Sequence, residues 1–248
     1  MVSSSLILLP LLLAATQSGE AAKINSNGCD FSQFGALNAM NIFPNFECYP
    51  VRYAPTAEDI KAILMTHNKM RMKVAMGKEE RGSPGPQPTA ANMREMVWDM
   101  QLADLAQAWA NQCSFSHDEY ASRQTCKDST IGQNLLIKDS ADMFNGKKLN
   151  WPRAIHEWYI EVENHPGAAV QEFTSLMNGE ATTGHYTQLA WAESNKIGCG
   201  ATQFGNQVLF VCNYAAEGNV KPQAVYMSGQ PASHCVSGPS TFYPGLCK

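Results

Sequence analysis

Eight cysteines carry the most explicit chemistry in the chain: Cys29, Cys48, Cys113, Cys126, Cys199, Cys212, Cys235 and Cys247. Their number is even and no two form a C-x-x-C, so the pattern favours pairwise oxidation over a zinc ribbon or a redox dithiol. Counting alone does not choose the pairing, but one pair follows from local geometry. Ile197–Phe204 and Gln207–Tyr214 are strand-like runs joined by Gly205-Asn206, a two-residue hairpin turn. Counted outward from that turn, Cys199 faces Cys212 at a non-hydrogen-bonded position, where cross-strand side chains come closest. Other reactive groups are less informative. No serine sits in a Gly-x-Ser-x-Gly elbow, and Ser114 and Ser116 merely neighbour His117 in sequence. His156, His165 and His234 have no partner pattern and are expected at the surface.

These groups need elements to position them. Thr56 with Asp59 reads as a helix start, followed by Ile60, Ile63, Leu64, His67 and Val74 at helical spacing. His67 is expected to pack or bond locally there. Asp99 caps a second helix with Leu102, Leu105, Ala106 and Trp109 on one face. Asn150 with Pro152 starts a third, carrying Ile155, Trp158, Tyr159 and Val162. Met76 to Asn92 contains Arg81-Gly82-Ser83-Pro84-Gly85-Pro86-Gln87-Pro88 and is expected to be irregular. Leu135–Ile137 and Thr187–Ala192 read as short strands beside the hairpin. The tryptophans Trp98, Trp109, Trp151, Trp158 and Trp191 are expected to fill the core. Helices around a few antiparallel strands make an α+β layered architecture.

The chain of 248 residues carries 18 Lys+Arg against 22 Asp+Glu, a formal net charge of −4. With no basic stripe, it is a poor binder of nucleic acid. At 44% hydrophobic and 16% charged it is too apolar for a disordered chain. Leu6 to Ala15 is an apolar run of signal-peptide length, followed by small and polar residues to Ala22. Residues 1–22 are therefore expected to be a signal peptide, with no transmembrane anchor and secretion to the extracellular space. The expected organisation is a disulfide-tethered N-terminal segment over 23–55, a main domain over 56–220 and a short cysteine-containing tail over 221–248.

Three segments resemble the CAP superfamily of cysteine-rich secretory, antigen 5 and pathogenesis-related proteins. Gly184-His185-Tyr186-Thr187-Gln188-Leu189-Ala190-Trp191 is similar to its first signature, and Leu209-Phe210-Val211-Cys212-Asn213-Tyr214-Ala215-Ala216-Glu217-Gly218-Asn219 to its second. The Arg81–Pro88 loop, His67-Asn68 and Trp109-Ala110-Asn111-Gln112-Cys113 resemble the venom and salivary antigen 5 branch of arthropods; the one extra bridge in the tail points to arachnids. The likeness runs from about Cys29 to Asn219. It implies a three-layer α-β-α sandwich (the CAP fold), stapled by disulfides and ending in a short C-terminal extension. It also implies the pairs Cys48–Cys113 and Cys29–Cys126, agrees with Cys199–Cys212, and leaves Cys235 for Cys247.

The resemblance further implies a cleft of two histidines and two acids. His117 and His185 match the histidines and Glu161 matches one acid. Gln133, in Gly132-Gln133-Asn134, stands where much of the superfamily has Glu. Two imidazoles and a carboxylate suit a divalent ion such as zinc, with His117 and His185 as its ligands, though no cofactor is required. Replacing Glu by Gln removes a charge and a base, which weakens both metal binding and proton transfer. The four residues are otherwise read as a buried polar network. The expected function is that of a secreted, allergenic, non-enzymatic protein of venom or saliva. It would bind a sterol, a fatty acid or another small hydrophobic ligand, or a host extracellular protein. A metal-assisted or serine-type peptidase and an ion-channel modulator are the alternatives; the two-cysteine tail is too small for the cysteine-rich domain of channel-blocking relatives.

Overall fold

The computed structural model describes residues 28–248, so the expected signal peptide lies outside the described residues. In chain order the elements are β1 (Val51–Tyr53), α1 (Ala57–Ala75), β2 (Val97–Trp98), α2 (Met100–Ala110), β3 (Gly132–Asp139), α3 (Ser140–Met143), β4 (Phe144–Asn145) and β5 (Lys148–Leu149). They continue with α4 (Trp151–Tyr159), β6 (Met177–Asn178), β7 (Ala181–Thr182), α5 (Gly184–Ala190), β8 (Lys196–Phe204) and β9 (Gln207–Ala215).

The helix starts follow the capping chemistry of their sequences. Thr56 Oγ1 accepts the Asp59 N–H at 3.2 Å while Asp59 Oδ2 accepts the Thr56 N–H at 2.9 Å, closing a reciprocal cap on α1. Asp99 Oδ1 accepts from the N–H groups of Gln101 and Leu102 at the head of α2. Asn150 Oδ1 accepts the Arg153 N–H at the head of α4. That helix ends at Tyr159, and Val162 falls in a following 3-10 segment, Ile160–Asn164.

The central sheet has the order β1-β8-β9-β3, antiparallel throughout, with β2 added parallel to β8. Gly205 takes the positive φ of 54° at the β8–β9 turn, and the register sets Phe204 opposite Gln207 and Cys199 opposite Cys212. The Cα atoms of that cysteine pair are 4.1 Å apart, close to the spacing of a non-hydrogen-bonded pair. The other three bridges are Cys29–Cys126, Cys48–Cys113 and Cys235–Cys247, as the resemblance implies. Four bridges are the mark of a protein folded in an oxidising compartment.

Alternation along β9 separates two cores. Val208, Phe210, Cys212 and Tyr214 join the large cluster with α1, α4 and α5, whereas Leu209, Val211 and Ala215 pack towards α2. The result is an α-β-α sandwich. Its α2 layer lies so close that a Cβ on Gly198 would stand 2.1 Å from Ala103 N, and one on Gly200 2.5 Å from Gln107 Cα. On the other face, the buried Arg71 of α1 donates to the carbonyls of Arg94, Leu189, Trp191 and Ala192, which ties α1 to the end of α5; burial lowers its pKa to about 9. Trp151, Trp158 and Trp191 are buried, and Trp98 and Trp109 partly so.

Three sequence expectations need correction or extension. Thr187–Ala192 is not a strand: α5 runs Gly184–Ala190, because tertiary partners outweigh the β-like composition. Thr187 Oγ1 donates to Asn219 Oδ1 at 2.6 Å, and Leu189 is fully buried. The disulfide-tethered N-terminal segment also adds a strand to the main sheet, since Val51–Tyr53 forms the edge strand β1. The tail is also part of the main core, to which Val225, Tyr226 and Leu246 contribute.

Candidate functional site

The cleft residues approach edge strand β3 from opposite faces of the sheet. On the α4/α5 face, Glu161 follows α4 and meets the start of α5, where Thr183 supplies no side-chain cap. Glu161 Oε2 accepts the backbone N–H groups of His185 at 2.9 Å and Tyr186 at 3.2 Å. Its Oε1 accepts the His185 Nδ1–H at 2.6 Å. A carboxylate there satisfies orphan donors of a helix start and complements its positive end. The His185 ring stacks on Trp158 with centroids 6.4 Å apart, and Trp158 Nε1 donates to the Leu135 carbonyl at 2.9 Å. His185 is thus held from three sides.

On the α2 face, Gln133 of β3 lies opposite Asn213 of β9. Asn213 Nδ2 donates to the Leu102 carbonyl of α2 at 3.4 Å, which turns its Oδ1 to Gln133. Gln133 Nε2 donates to that oxygen at 3.1 Å, and Gln133 Oε1 accepts the His117 Nδ1–H at 2.8 Å. An amide suits both neighbours, whereas a carboxylate at 133 would turn one oxygen on the Asn213 oxygen. Burial of the His117 ring holds its pKa below the ordinary histidine range; the Gln133 bond opposes this, and the positive charge of Arg123 reinforces it. The turn bearing His117 is anchored by a buried Asp118–Arg123 ion pair, with Arg123 Nη1 donating to the Ile131 carbonyl at 3.0 Å.

The structure therefore brings the four predicted residues together as two coupled pairs. Each imidazole uses Nδ1 for its partner, leaving Nε2 without a hydrogen bond among the described residues. Two imidazole nitrogens fall short of the three protein ligands of a catalytic zinc site. Both Glu161 oxygens are engaged, and among the described residues no group of three or more His, Cys, Asp or Glu side chains is placed to hold a metal ion. The donor set does not fit a catalytic zinc centre. Of the serines beside His117, Ser114 Oγ and Ser116 Oγ bond each other at 2.8 Å, and no cysteine is free.

Behind the pairs runs a polar chain that sequence reasoning did not assemble. Asn134 Nδ2 donates to the His185 carbonyl at 3.1 Å and lies 3.4 Å from Tyr214 Oη. The Tyr214 hydroxyl donates to His67 Nε2 at 3.0 Å, and His67 Nδ1–H donates to the Ile63 carbonyl at 2.9 Å. His67 thus bonds locally and also across to the sheet. Its complete burial lowers its pKa to about 4. Asn213 and Tyr214 both lie in the second signature, so the signal was present, but their partners follow only from the strand register. His156 and His234 are exposed as expected, but His165 is not. It is 3% exposed, beneath the Arg81–Pro88 loop, with its ring against Tyr186 and its carbonyl accepting from Ser83 and Gln87.

Comparison with known proteins agrees with this fold. The profile of the family described as "CAP: Cysteine-rich secretory protein family" matches residues 64–214. Venom allergen 3 of Solenopsis invicta is 35% identical over 237 residues, covering 89% of this chain and 97% of that protein. A "CRISP/Allergen/PR-1" protein of Trittame loki is 36% identical over 88% of this chain, which spans only 55% of that protein's length. The crystal structure of NaASP2 with Zn2+ superposes with a TM-score of 0.67 at 29% identity, covering 79% of this chain and 97% of that one. The two signatures, the four bridges, the layered sheet and a relative matched nearly end to end place this chain in the cysteine-rich secretory protein (CAP) family.

Proposed function

We propose that the protein is a secreted, non-enzymatic antigen 5-type CAP protein of venom or saliva that works by binding a small hydrophobic ligand or a host extracellular protein. The observation that carries this reading is the engagement of the cleft side chains in the fold. Glu161 caps α5, Gln133 links two strands, and, among the described residues, Ser114 and Ser116 bond each other and every cysteine is in a disulfide. The venom allergens among its relatives support the venom setting. The test is native mass spectrometry of the secreted, oxidised protein, alongside a peptide-cleavage assay of wild type and His185→Ala. A lipid-sized mass carried by the wild type supports the binder. Peptide cleavage abolished in His185→Ala would overturn it in favour of the hydrolase.

A second reading, a weak divalent-cation site, is favoured by one specific observation. Both Nδ1 atoms are held by Gln133 and Glu161, an orientation that leaves His117 and His185 Nε2 available as donors. The Zn2+ in the NaASP2 structure lends it weight by family likeness. Spectra with added zinc test it: a one-zinc adduct lost in both His117→Ala and His185→Ala is the expected result, and an adduct retained in both would refute it.

A further inference from the structure

Between β3 and α4 the chain leaves the layers as a protrusion. Its base is closed: the Asn150 N–H donates to the Met143 carbonyl at 2.8 Å, and Arg153 Nη1 to the Asp142 carbonyl at 2.7 Å. Its tip is the β4–β5 hairpin, which sets Phe144 opposite Leu149 and Asn145 opposite Lys148. The chain turns there through Gly146-Lys147, with Gly146 at a positive φ of 64°. Two residues a side, outside the main sheet, are a marginal strand pairing. Three contacts hold the tip to the body: Tyr53 against Phe144 with ring centroids 5.4 Å apart, the buried Leu149, and an exposed Lys148–Glu58 ion pair that contributes little in water. Such a tip opens locally at far less cost than the fold as a whole. Residues 145–148 are all exposed, and they contain the one pair of adjacent basic residues in the sequence, Lys147-Lys148.

Other basic residues are harder to present in extended form. Lys61 and Lys69 lie within α1 and Lys138 within β3. Lys78 precedes Glu79, which is fully buried and bonded by Lys73, Arg81 and Tyr159. Lys127 precedes Asp128, which is paired with Lys196 at 2.7 Å. The bridges give a cut at the tip a distinctive result. Cys29–Cys126 and Cys48–Cys113 lie wholly before it, Cys199–Cys212 and Cys235–Cys247 lie wholly after it, and these pairs use all eight cysteines. No disulfide would join the two pieces. They would be held by the β3–β9 ladder, by β1 and β2 on β8, and by the shared core. His117 and Gln133 fall in the first piece and Glu161 and His185 in the second, so each coupled pair of the cleft stays whole.

We propose that the Lys147-Lys148 tip is a processing site for a trypsin-type endoprotease, and that the cut chain persists as two non-covalently associated pieces. The scissile bond is the one between the two lysines, since Leu149 beyond them is buried. Its hydrolysis consumes one water: the hydroxyl goes to the Lys147 carbonyl carbon and the proton to the Lys148 nitrogen. The resulting acid and amine ionise to carboxylate and ammonium. Cleavage there is independent of what the protein binds. The probe is trypsin, added in trace amount to the secreted, oxidised full chain at neutral pH. Intact mass, denaturing electrophoresis without reductant and size exclusion follow the products. The first cut is expected at the tip, giving two pieces that separate on the denaturing gel yet co-elute as one species on the native column. In Lys147→Gln/Lys148→Gln, a change confined to exposed side chains, first cleavage should slow by about tenfold, because the remaining sites need larger openings. A first cut outside residues 145–149, or an unchanged rate in the double variant, would overturn the site. Pieces that stay linked without reductant, or that part on the native column, would overturn the two-piece state.

Discussion

Glu161→Gln separates a structural carboxylate from a catalytic one. Glu161 accepts three bonds, two from the backbone start of α5 and one from the His185 ring, in a site where it is 8% exposed. The amide retains one acceptor oxygen, which can stay on the backbone N–H groups. Its NH2 then faces His185 Nδ1 and forces that ring to the other tautomer. Bonds to a charged acceptor are stronger than neutral ones by about 0.5–1.5 kcal/mol each, and a helix start favours an anion by about 0.5–1 kcal/mol. Allowing for relaxation, the loss comes to about 2 kcal/mol. At ~2–4 °C per kcal/mol for a chain of this size, Tm should fall by about 4–8 °C. Calorimetric melts of wild type, Glu161→Gln, His185→Ala and the double variant at neutral pH form a cycle that apportions the effect. Glu161→Gln should still cost about 1 kcal/mol in the His185→Ala background, because the backbone donors remain. A loss that disappears in that background would refute the capping argument and leave Glu161 as an orienter of the ring alone.

Other outcomes follow from the same distances. Gln133→Glu should destabilise by about 1–2 kcal/mol through loss of the donor to Asn213, yet raise the pKa of His117 by placing a carboxylate beside it; denaturant titration and histidine NMR read the two effects, and a lowered pKa would contradict the geometry. His67 and His165 are both lowered from 6.5 to about 4 by burial, so between those limits the unfolded chain binds protons that the folded chain does not. Stability should therefore fall as pH drops through that window, by up to about 1.4 kcal/mol per pH unit for each histidine; a flat denaturation profile across it would refute the assignment. Gly198→Ala would set a Cβ against the backbone of α2, 2.1 Å from Ala103 N, and should cost at least about 1–3 kcal/mol as α2 shifts. A wild-type Tm for this variant would show that the two layers are not in such close contact.

What was legible in the sequence was local. The caps at Thr56, Asp99 and Asn150 and the Cys199–Cys212 register each depend on a few adjacent residues, and each forms as read. Failures occur where a distant partner decides. Thr187–Ala192 looks like a strand until Glu161 caps α5 from another segment, and His165 looks exposed until a proline-rich loop covers it. Gln133 shows the difference most plainly. As a residue type it is a missing base, which counts against catalysis. Its role depends on Asn213, to which only the β3–β9 register joins it, and on Leu102, which fixes the orientation of Asn213. With that orientation set, one neighbour of position 133 offers an oxygen and the other an N–H. A glutamine answers both and an ionised glutamate answers one, so the residue that a catalytic reading treats as a deficit is the one that lets strand, helix and histidine bond together.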